Sequence, residues 1–523
     1  MMSVELASLQ NSPRDVACWQ QAQRQLMGKR FGPALAGYQD IVKKFSGVAQ
    51  LWFELGMAAL GELEFDLADQ AFRRAMELSA ADAQMLILLA QQYQRLRRLD
   101  QARRCFELAV AAEPNSAHAQ ISLALWHEKD RQLDKAWEWV ETCVAAHPRD
   151  GYARYVKALL LHRKGQNSEA ETLLRDLIKR DSPDPQVRIS SRYLLAEILD
   201  EAGQYAEAFR QLLEAKNFAK LTANTSQLEQ DYDRADARRR ELLAALKPGA
   251  IQRWRQEVPP VQNPGRLAFL GGHPRSGTTL LEQILGAHPD IRAFDESDAF
   301  VNEIWNPLAP TGARQSLTFA ELDSLNATRR AEMRRHYWKS LFREVAGESG
   351  AKILLDKNPS PTLALYLWLR IFPELKVIIA LRDPRDVVVS CLFQNLNPTA
   401  LSVNFLSLER AAKHYADLMD VWLRLRELGG FDWLEVHYRD IVAGLEAEGR
   451  RATEFLQLPW HESQAKFHES ARQKFFFAPT YQDVTQPLHN RSIDRWKNYA
   501  AELAPIQNRL APYCRAFGYD ERG

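Results

Sequence analysis

The N-terminal part of this chain repeats itself every 34 residues, from residue 15 to about residue 222. Each period places small residues at positions 8 and 20, a large apolar residue at position 24 and a small residue at position 27. Three consecutive periods keep this phase, and their signature residues are Trp52, Leu55, Gly56, Ala68, Phe72 and Ala75, then Leu86, Leu89, Ala90, Ala102, Phe106, Ala109 and Pro114, then Leu123, Ala124, Ala136, Val140, Cys143 and Pro148. Looser periods follow, and one degenerate period precedes them. A regular period of this length predicts stacked helix pairs, because one pair cannot bury its own apolar face.

The pattern resembles the tetratricopeptide repeat, with six units in phase. This resemblance implies an all-α solenoid with a concave groove, in which the small residues let the two helices of a unit approach closely. Solenoids of this kind bind peptides or proteins. Helix-forming residues do not identify the ligand of a groove, so an acceptor substrate, a protein partner and a second subunit all remain open.

Breaks in the helical pattern predict where the repeats end. Residues 223–246 form a charged helical pattern that we expect to cap the array, which gives a repeat domain over residues 15–246. Proline and glycine then interrupt helical structure three times within residues 247–264, which predicts a linker. The remaining residues, 265–518, are predicted to form a second domain of α/β class with a mainly parallel sheet.

Composition limits the possible partners. The chain has 523 residues and a formal net charge of +1, so we expect neither nucleic-acid binding nor a general attraction to anionic membranes. No apolar run is long enough for a membrane span, and the N-terminus lacks a signal-peptide pattern. The five cysteines are scattered without metal-ligand spacing, which favours a reducing, cytoplasmic location and no disulfide framework.

The segment from Leu267 to Leu285 carries the strongest functional signal. An apolar run is followed by a glycine loop and then by a helical pattern, and this order predicts an anion site at a helix N-terminus. The spacing from Gly272 to Gly277 matches the nucleotide P-loop, but Thr278 occupies the position of the P-loop lysine. A cation, Arg275, precedes the glycine instead. This displacement argues against an ordinary ATP or GTP hydrolase.

The sequence Pro274-Arg275-Ser276-Gly277-Thr278-Thr279 resembles the 5'-phosphosulfate loop of sulfotransferases that use 3'-phosphoadenylyl sulfate. Its arginine makes it most similar to the tyrosylprotein sulfotransferase branch and its bacterial relatives. The resemblance implies that Ser276, Gly277, Thr278 and Thr279 bind the donor phosphosulfate, with Arg275 near the bridging oxygen. It extends over residues 265–515, through five further motifs.

Two of these motifs carry the residues expected to act in catalysis. Glu296 corresponds to the catalytic base of the branch, which accepts the proton of the acceptor hydroxyl. It lies in Asp295-Glu296-Ser297, where that branch has two glutamates and a threonine. Lys357 follows a short apolar strand and corresponds to the lysine that neutralises the leaving phosphate.

The other motifs are expected to hold the nucleotide. Arg382 and Ser390 correspond to residues that bind the 3'-phosphate, for which the planar fork of arginine is well suited. Tyr438, in a predicted strand from Trp433 to Val442, corresponds to a tyrosine near the adenine and ribose. In the last motif, Arg495 corresponds to a basic residue at the 3'-phosphate, and Thr480 to a serine that assists catalysis.

The sequence therefore predicts a sulfotransferase that uses 3'-phosphoadenylyl sulfate as co-substrate, requires no metal and carries a tetratricopeptide domain. Its acceptor is a hydroxyl of a peptide or protein tyrosine, a glycan or a small molecule, and the residues do not choose among these. Two alternatives remain. One is a P-loop kinase-like phosphotransferase, and the other is a catalytically inactive repeat scaffold.

Overall fold

The computed structural model describes residues 4–258, 264–309, 317–342, 350–471 and 488–519. The chain divides into two compact units, Met1–Leu173 and Leu174–Gly523. The first unit contains ten complete helices within its described residues: α1 Val4–Gln10, α2 Pro13–Met27, α3 Phe31–Lys44, α4 Ala49–Gly61, α5 Phe65–Leu78, α6 Ala83–Arg95, α7 Leu99–Ala112, α8 Ala117–Lys129, α9 Leu133–Ala146 and α10 Gly151–Arg163. Helix α11, Asn167–Lys179, spans the division.

The first helices of the repeats begin at strict intervals. Helices α4, α6, α8 and α10 start at residues 49, 83, 117 and 151, each 34 residues after the one before. The small positions of the pattern are explained by packing, since Ala68 is fully buried and a Cβ at Gly56 would lie 2.6 Å from the ring of Phe72. The predicted helical repeats are thus confirmed in this unit.

The second unit begins with one more long helix pair and then builds an α/β domain. Its described helices are α12 Pro185–Glu201, α13 Tyr205–Thr222, α14 Thr225–Ala245, α15 Ala250–Gln256, α16 Thr278–Gly286, α17 Asn306–Leu308, α18 Phe319–Asp323, α19 Ala327–Phe342, α20 Leu365–Ile371, α21 Pro384–Leu392, α22 Leu408–Leu428, α23 Tyr438–Ala443, α24 Leu445–Phe455, α25 Phe467–Ala471, α26 Ala500–Leu503 and α27 Gln507–Ala516. A π-helical turn covers Val301–Trp305, and 3₁₀ turns cover Ser360–Ala364, Ser402–Leu406, Glu462–Gln464, Arg495–Tyr499 and Ala504–Ile506.

The described strands form one parallel sheet in the order β2-β3-β1-β4-β5. They are β1 Arg266–Gly272, β2 Ile291–Asp295, β3 Ile353–Lys357, β4 Lys376–Leu381 and β5 Asp432–His437. The central strands β1, β3 and β4 are buried almost throughout, as continuous apolar runs require in a sheet covered on both faces. The predicted parallel α/β domain is confirmed.

Residues 247–258, which the sequence predicts to be linker, contain a helix. Trp254 on α15 is fully buried, and its indole nitrogen donates to Asp323 at 2.6 Å. Helix α15 therefore packs within the same compact unit as the sheet. The predicted domain limits of 15–246 and 265–518 stay predictions, while the compact unit that contains the sheet begins at Leu174.

Candidate functional site

All five strands end at one edge of the sheet, and each is followed by a residue of the predicted site. The glycine loop, Gly272–Thr279, follows β1, and Glu296 follows β2. Lys357 ends β3, Arg382 follows β4 and Tyr438 follows β5. The carboxyl edge of a parallel α/β sheet is where ligands bind in such folds. The parallel topology thus brings residues from distant parts of the sequence together.

The two glycines of the glycine loop are required by conformation and by space. Gly272 has φ of 126° and Gly277 has φ of 95°, in the left-handed region that favours glycine. A Cβ at Gly272 would lie 2.4 Å from the carbonyl oxygen of Ala380, and one at Gly277 would lie 2.7 Å from Cδ2 of Tyr438. The loop can therefore lie against the neighbouring chain only without side chains at these positions.

Some of the other loop residues line a cavity, whereas Ser276 is buried behind it. Thr278 and Thr279 at the start of α16 line a cavity of about 540 Å³, together with Arg275. Ser276 is 1% exposed and its amide donates to the carbonyl of His273 at 3.1 Å. Its hydroxyl oxygen has no hydrogen-bond partner among the described residues. A buried hydroxyl without a partner beside a helix N-terminus fits a ligand that supplies acceptor oxygens.

Arg275 links the loop to the helix after β4. Its φ is 74°, an uncommon conformation for a residue with a side chain. Its Nε donates to the hydroxyl of Ser390 on α21 at 2.9 Å, and its carbonyl accepts from Nη1 of Arg382 at 3.2 Å. Arg275, predicted to lie near the phosphosulfate, is thus hydrogen-bonded to both residues predicted to bind the 3'-phosphate.

Arg382 and Arg495 line the same cavity and each has a buried donor without a partner. Arg382 is 8% exposed and also donates to the carbonyl of Ser492. Its guanidinium lies 5.3 Å from the ring centre of Tyr438, while that of Arg495 lies 4.1 Å from the ring centre of Phe393. In both arginines the Nε atom is buried with no partner among the described residues. Two such donors fit an anion that occupies this end of the cavity.

A buried ammonium group lies at the centre of the sheet edge. The side chain of Lys357 is fully buried, and its Nζ contacts the carboxylate of Asp295 and that of Glu296, the latter at 3.2 Å. Burial alone would lower the pKa of Lys357, but the charges of Glu296 and Asp295 raise it above its ordinary value. Lys357 therefore carries its positive charge at neutral pH.

Glu296 is held by its backbone while its carboxylate stays accessible. Its φ is 52°, and its amide donates to the carbonyl of Lys357 at 2.7 Å. Its side chain is 51% exposed and lines the cavity. A carboxylate in this position can reach both the ammonium of Lys357 and a ligand that enters the cavity.

The structure corrects one expectation and leaves another outside its range. Strand β5 ends at His437, so Tyr438 begins α23 rather than lying inside a strand that continues to Val442. At the start of this helix the ring of Tyr438 lies against Gly277 of the glycine loop. Thr480 lies outside the described residues, and its predicted role stays a prediction.

Sequence reasoning missed two carboxylates at the site. Asp295 pairs in register with Lys357 across β2 and β3, and this pairing brings their side chains together. Strand alignment from the two apolar runs is the signal that could have revealed it. Asp200 on α12 also lines the cavity, with Glu197 and Glu201. The repeat pattern contains no signal for it, because the position is not one that packs the array.

Two properties concern the described residues as a whole. Among them, no group of three or more histidine, cysteine, aspartate or glutamate side chains is arranged to hold a metal ion. Within the same ranges, no helix is long and apolar enough to cross a membrane. The expectation that the reaction needs no metal stays a prediction.

Comparison with known proteins agrees with this architecture. A family profile described as "Sulfotransferase family" matches residues 268–462, and one described as "Tetratricopeptide repeat" matches residues 83–116. The sulfotransferase domain from the Synechococcus PCC 7002 olefin synthase covers 50% of this chain and 98% of its own length, at 20% identity and a TM-score of 0.36.

Relatives named as protein-tyrosine sulfotransferases each match about half of the chain. Protein-tyrosine sulfotransferase A of Caenorhabditis elegans is 27% identical over 259 residues, which cover 48% of this chain and 67% of that protein. Protein-tyrosine sulfotransferase 1 of Homo sapiens is 30% identical over 274 residues, which cover 49% of this chain and 70% of that protein. On this similarity, the chain belongs to the sulfotransferase family and combines its domain with a tetratricopeptide array.

Proposed function

We propose that this protein transfers a sulfuryl group from 3'-phosphoadenylyl sulfate to a hydroxyl acceptor. One observation carries the proposal: a buried, charged Lys357 contacts an accessible Glu296 beside the glycine loop, at one edge of a parallel sheet. This arrangement supplies a proton acceptor that lines the cavity and a fixed cation that is buried directly behind it. A transferase needs both, because the attacking hydroxyl loses a proton as negative charge develops on the leaving oxygen.

The cavity supports a donor with two phosphate groups. The glycine loop and Arg275 are suited to bind the 5'-phosphosulfate, since the loop offers a partnerless hydroxyl and the N-terminus of α16. Arg382 and Ser390 are each hydrogen-bonded to Arg275, and Arg495 lines the same cavity; these three residues are suited to a 3'-phosphate. The ring of Tyr438 lies against Gly277 of the loop, and its centre is 5.3 Å from the guanidinium of Arg382.

The residues then have separate roles in the transfer. Glu296 accepts the proton as the acceptor oxygen bonds to sulfur and the bond from sulfur to the bridging oxygen breaks. Lys357 and Arg275 neutralise the charge that remains on the departing phosphate. Positioning and electrostatic stabilisation provide most of the acceleration in loose transfers of this kind. Loss of one such donor is expected to lower turnover by about 10²–10³-fold.

The relatives, rather than the cavity, support a proposal for the class of acceptor. The relatives named above are protein-tyrosine sulfotransferases, which favours a tyrosyl hydroxyl of a peptide or protein. Glycan and small-molecule hydroxyls remain alternatives. The tetratricopeptide array is proposed to bind the acceptor or a protein partner. We also propose a cytoplasmic location, because all five cysteines are free.

Ligand-induced stabilisation tests the donor. We expect adenosine 3',5'-bisphosphate to raise the melting temperature of the full chain more than ADP or magnesium-ATP does. At a concentration of 100 times Kd, the stabilisation is about 2.7 kcal/mol. Arg382→Ala should abolish the preference, whereas Arg329→Ala should keep it, because Arg329 forms an ion pair with Glu332 on the surface of α19.

A transfer assay tests the chemistry. The wild type should move sulfate from the donor to a tyrosine-containing peptide or a simple phenol, and Glu296→Gln should lose turnover while it still binds the bisphosphate. A larger stabilisation by magnesium-ATP would instead favour the kinase-like alternative. Binding of the bisphosphate without transfer to any hydroxyl, in the wild type as in Glu296→Gln, would favour the inactive scaffold.

A further inference from the structure

Helix α12, the first helix of the last repeat-like pair, forms part of the cavity wall. Its residues Glu197, Asp200 and Glu201 lie among the residues that line the cavity. Asp200 differs from the other two because it is bonded to the opposite wall. Its Oδ2 accepts from Nη2 of Arg495 at 2.8 Å, across 295 residues of sequence. A side chain of the helical region thus reaches a residue of the proposed nucleotide site.

The second carboxylate oxygen of Asp200 is also occupied. It accepts a short hydrogen bond from the hydroxyl of Tyr499, one helical turn after Arg495. Burial raises the pKa of Tyr499 above its ordinary value, and the neighbouring Asp200 raises it further. The tyrosine therefore remains protonated and donates. With both oxygens bonded, the carboxylate has one fixed orientation.

An aromatic cluster fixes Tyr499 in turn. Its ring packs against Tyr205 at 5.6 Å and Phe209 at 6.1 Å, both on α13, and against Phe393 at 6.0 Å. Phe393 also lies under the guanidinium of Arg495 at 4.1 Å. Helix α12 thus contacts Arg495 through Asp200, and α13 contacts Tyr499, which packs against the ring beneath the Arg495 guanidinium.

The backbone of Arg495 is anchored separately from its side chain. The residues on either side of it, Asp494 and Trp496, donate their amides to the carboxylate of Asp386 at 3.0 and 2.8 Å. A change at Asp200 should therefore leave the backbone at Arg495 in place, while it alters the partners of the Arg495 guanidinium and of the Tyr499 hydroxyl. The Nε of Arg495 has no partner among the described residues, so one donor edge is available to a ligand.

We infer that Asp200 is a positioning residue, which holds Arg495 in the orientation that binds the 3'-phosphate of the nucleotide. The inference rests on the proposed function, because it assigns a task to a residue of that same site. It makes the last helix pair a part of the nucleotide site and not only a support for the array. Carboxylates that orient the metal-binding side chains of metalloproteins contribute about 10–100-fold in affinity, and we expect an effect at the lower end of that range here.

The test compares two nucleotides that differ only in the 3'-phosphate. Calorimetric titration of the full chain gives a Kd for each nucleotide. The Kd for adenosine 5'-phosphate divided by the Kd for adenosine 3',5'-bisphosphate is a ratio that isolates the contribution of the 3'-phosphate. Asp200→Asn keeps the shape of the side chain and should reduce this ratio about tenfold. Asp176→Asn is the matched control, because Asp176 pairs with Arg180 at 2.7 Å on the exposed surface of α11.

A double variant separates positioning from general damage to the fold. Arg495→Ala should reduce the ratio as Asp200→Asn does, and the combined variant should reduce it no further, because both changes remove one interaction. In steady-state transfer, Asp200→Asn should raise the KM for the donor and leave kcat nearly unchanged. Asp200→Glu keeps the negative charge and should therefore retain part of the ratio that Asp200→Asn loses.

The outcomes distinguish this inference from the proposed function. If the wild type binds the two nucleotides equally, the donor assignment itself fails. If the wild type prefers the bisphosphate and Asp200→Asn keeps that preference, only the role of Asp200 is overturned. Tighter binding by Asp200→Asn would overturn it as well, since it would show that Asp200 competes with the phosphate for Arg495.

Discussion

At the scale of single residues, Lys357 illustrates how strand register creates a site. Its register partner on β2 is Asp295, and Glu296 is the next residue along the chain. Because side chains alternate along a strand, a shift of one residue in this pairing would take the carboxylate of Asp295 away from the ammonium. The charged state of Lys357 is therefore a consequence of how β2 and β3 align.

Gly277 allows a direct test of the glycine loop. Gly277→Ala should sharply reduce affinity for adenosine 3',5'-bisphosphate, since a Cβ there would lie 2.7 Å from the ring of Tyr438. Gly249→Ala is the matched control, because Gly249 also has positive φ, 81°, but a Cβ there would meet nothing within 4 Å. Both variants should lose about 1 kcal/mol of stability from backbone strain. Calorimetric titration of both variants measures the difference, and equal affinities would contradict the contact.

Sequence reasoning found the residues that follow strands and missed those fixed by tertiary contact. Arg382 and Lys357 could be predicted because apolar runs locate strand ends, where ligands bind. The contact of Tyr438 with Gly277 joins two segments that no local pattern connects. The pairing of Asp200 with Arg495 joins positions 295 residues apart, and the helical pattern of α12 is the same with or without it.

At the scale of elements, α13 is joined to the α/β domain by a buried lysine. Lys216 is 1% exposed, and its Nζ donates to the carbonyl of Phe405 at 2.6 Å and to the hydroxyl of Tyr193 at 3.1 Å. Burial lowers the pKa of Lys216 to about 7. The helix is therefore attached through a group that is partly uncharged at neutral pH.

This lysine should make stability depend on pH. The unfolded chain binds more protons than the native one between about pH 7 and 10, so the free energy of unfolding should rise with pH in that window. The gain is at most about 4–5 kcal/mol. Lys216→Met removes the titration, so its melting temperature should lack this rise. Melting curves of both proteins from pH 6.5 to 9.5 provide the measurement, and parallel pH profiles would contradict the assignment.

Helices of the array were the most predictable elements, because their period is set by packing alone. The starts at residues 49, 83, 117 and 151 reproduce the 34-residue pattern without exception. Helix α15 was not predicted, since proline and glycine surround a segment of only seven residues. Its stability comes from burial of Trp254 and not from its local sequence.

At the scale of the whole molecule, the compact unit that contains the sheet also includes α12, α13 and α14. Tyr232 on α14 donates to the buried Asp417 at 2.9 Å, and Arg240 pairs with the same carboxylate at 2.6 Å. Removal of these helices would take two partners from Asp417 and would expose the face of the α/β domain that α14 covers.

Truncation should therefore be tolerated at one position and not at another. We expect a chain that begins at Ser182 to fold and to bind adenosine 3',5'-bisphosphate, because it keeps α12 and the wall of the cavity. A chain that begins at Gly265 should aggregate or bind far more weakly. Circular dichroism and calorimetric titration of the two chains provide the measurement. Equal folding and binding by both would show that the sheet domain does not need the helices.

The strict interval between helix starts also has a genetic consequence. A duplication or loss of one period of coding sequence within residues 49–150 would reproduce the same junction between neighbouring repeats, so such an event lengthens or shortens the array without breaking it. The last pair is different, since α12 and α13 have 17 and 18 residues instead of the 13 and 14 of α4 and α5. Recombination can therefore change the number of the earlier repeats freely. Selection for the proposed sulfuryl transfer would keep the last helix pair, with its Asp200, together with the sheet domain.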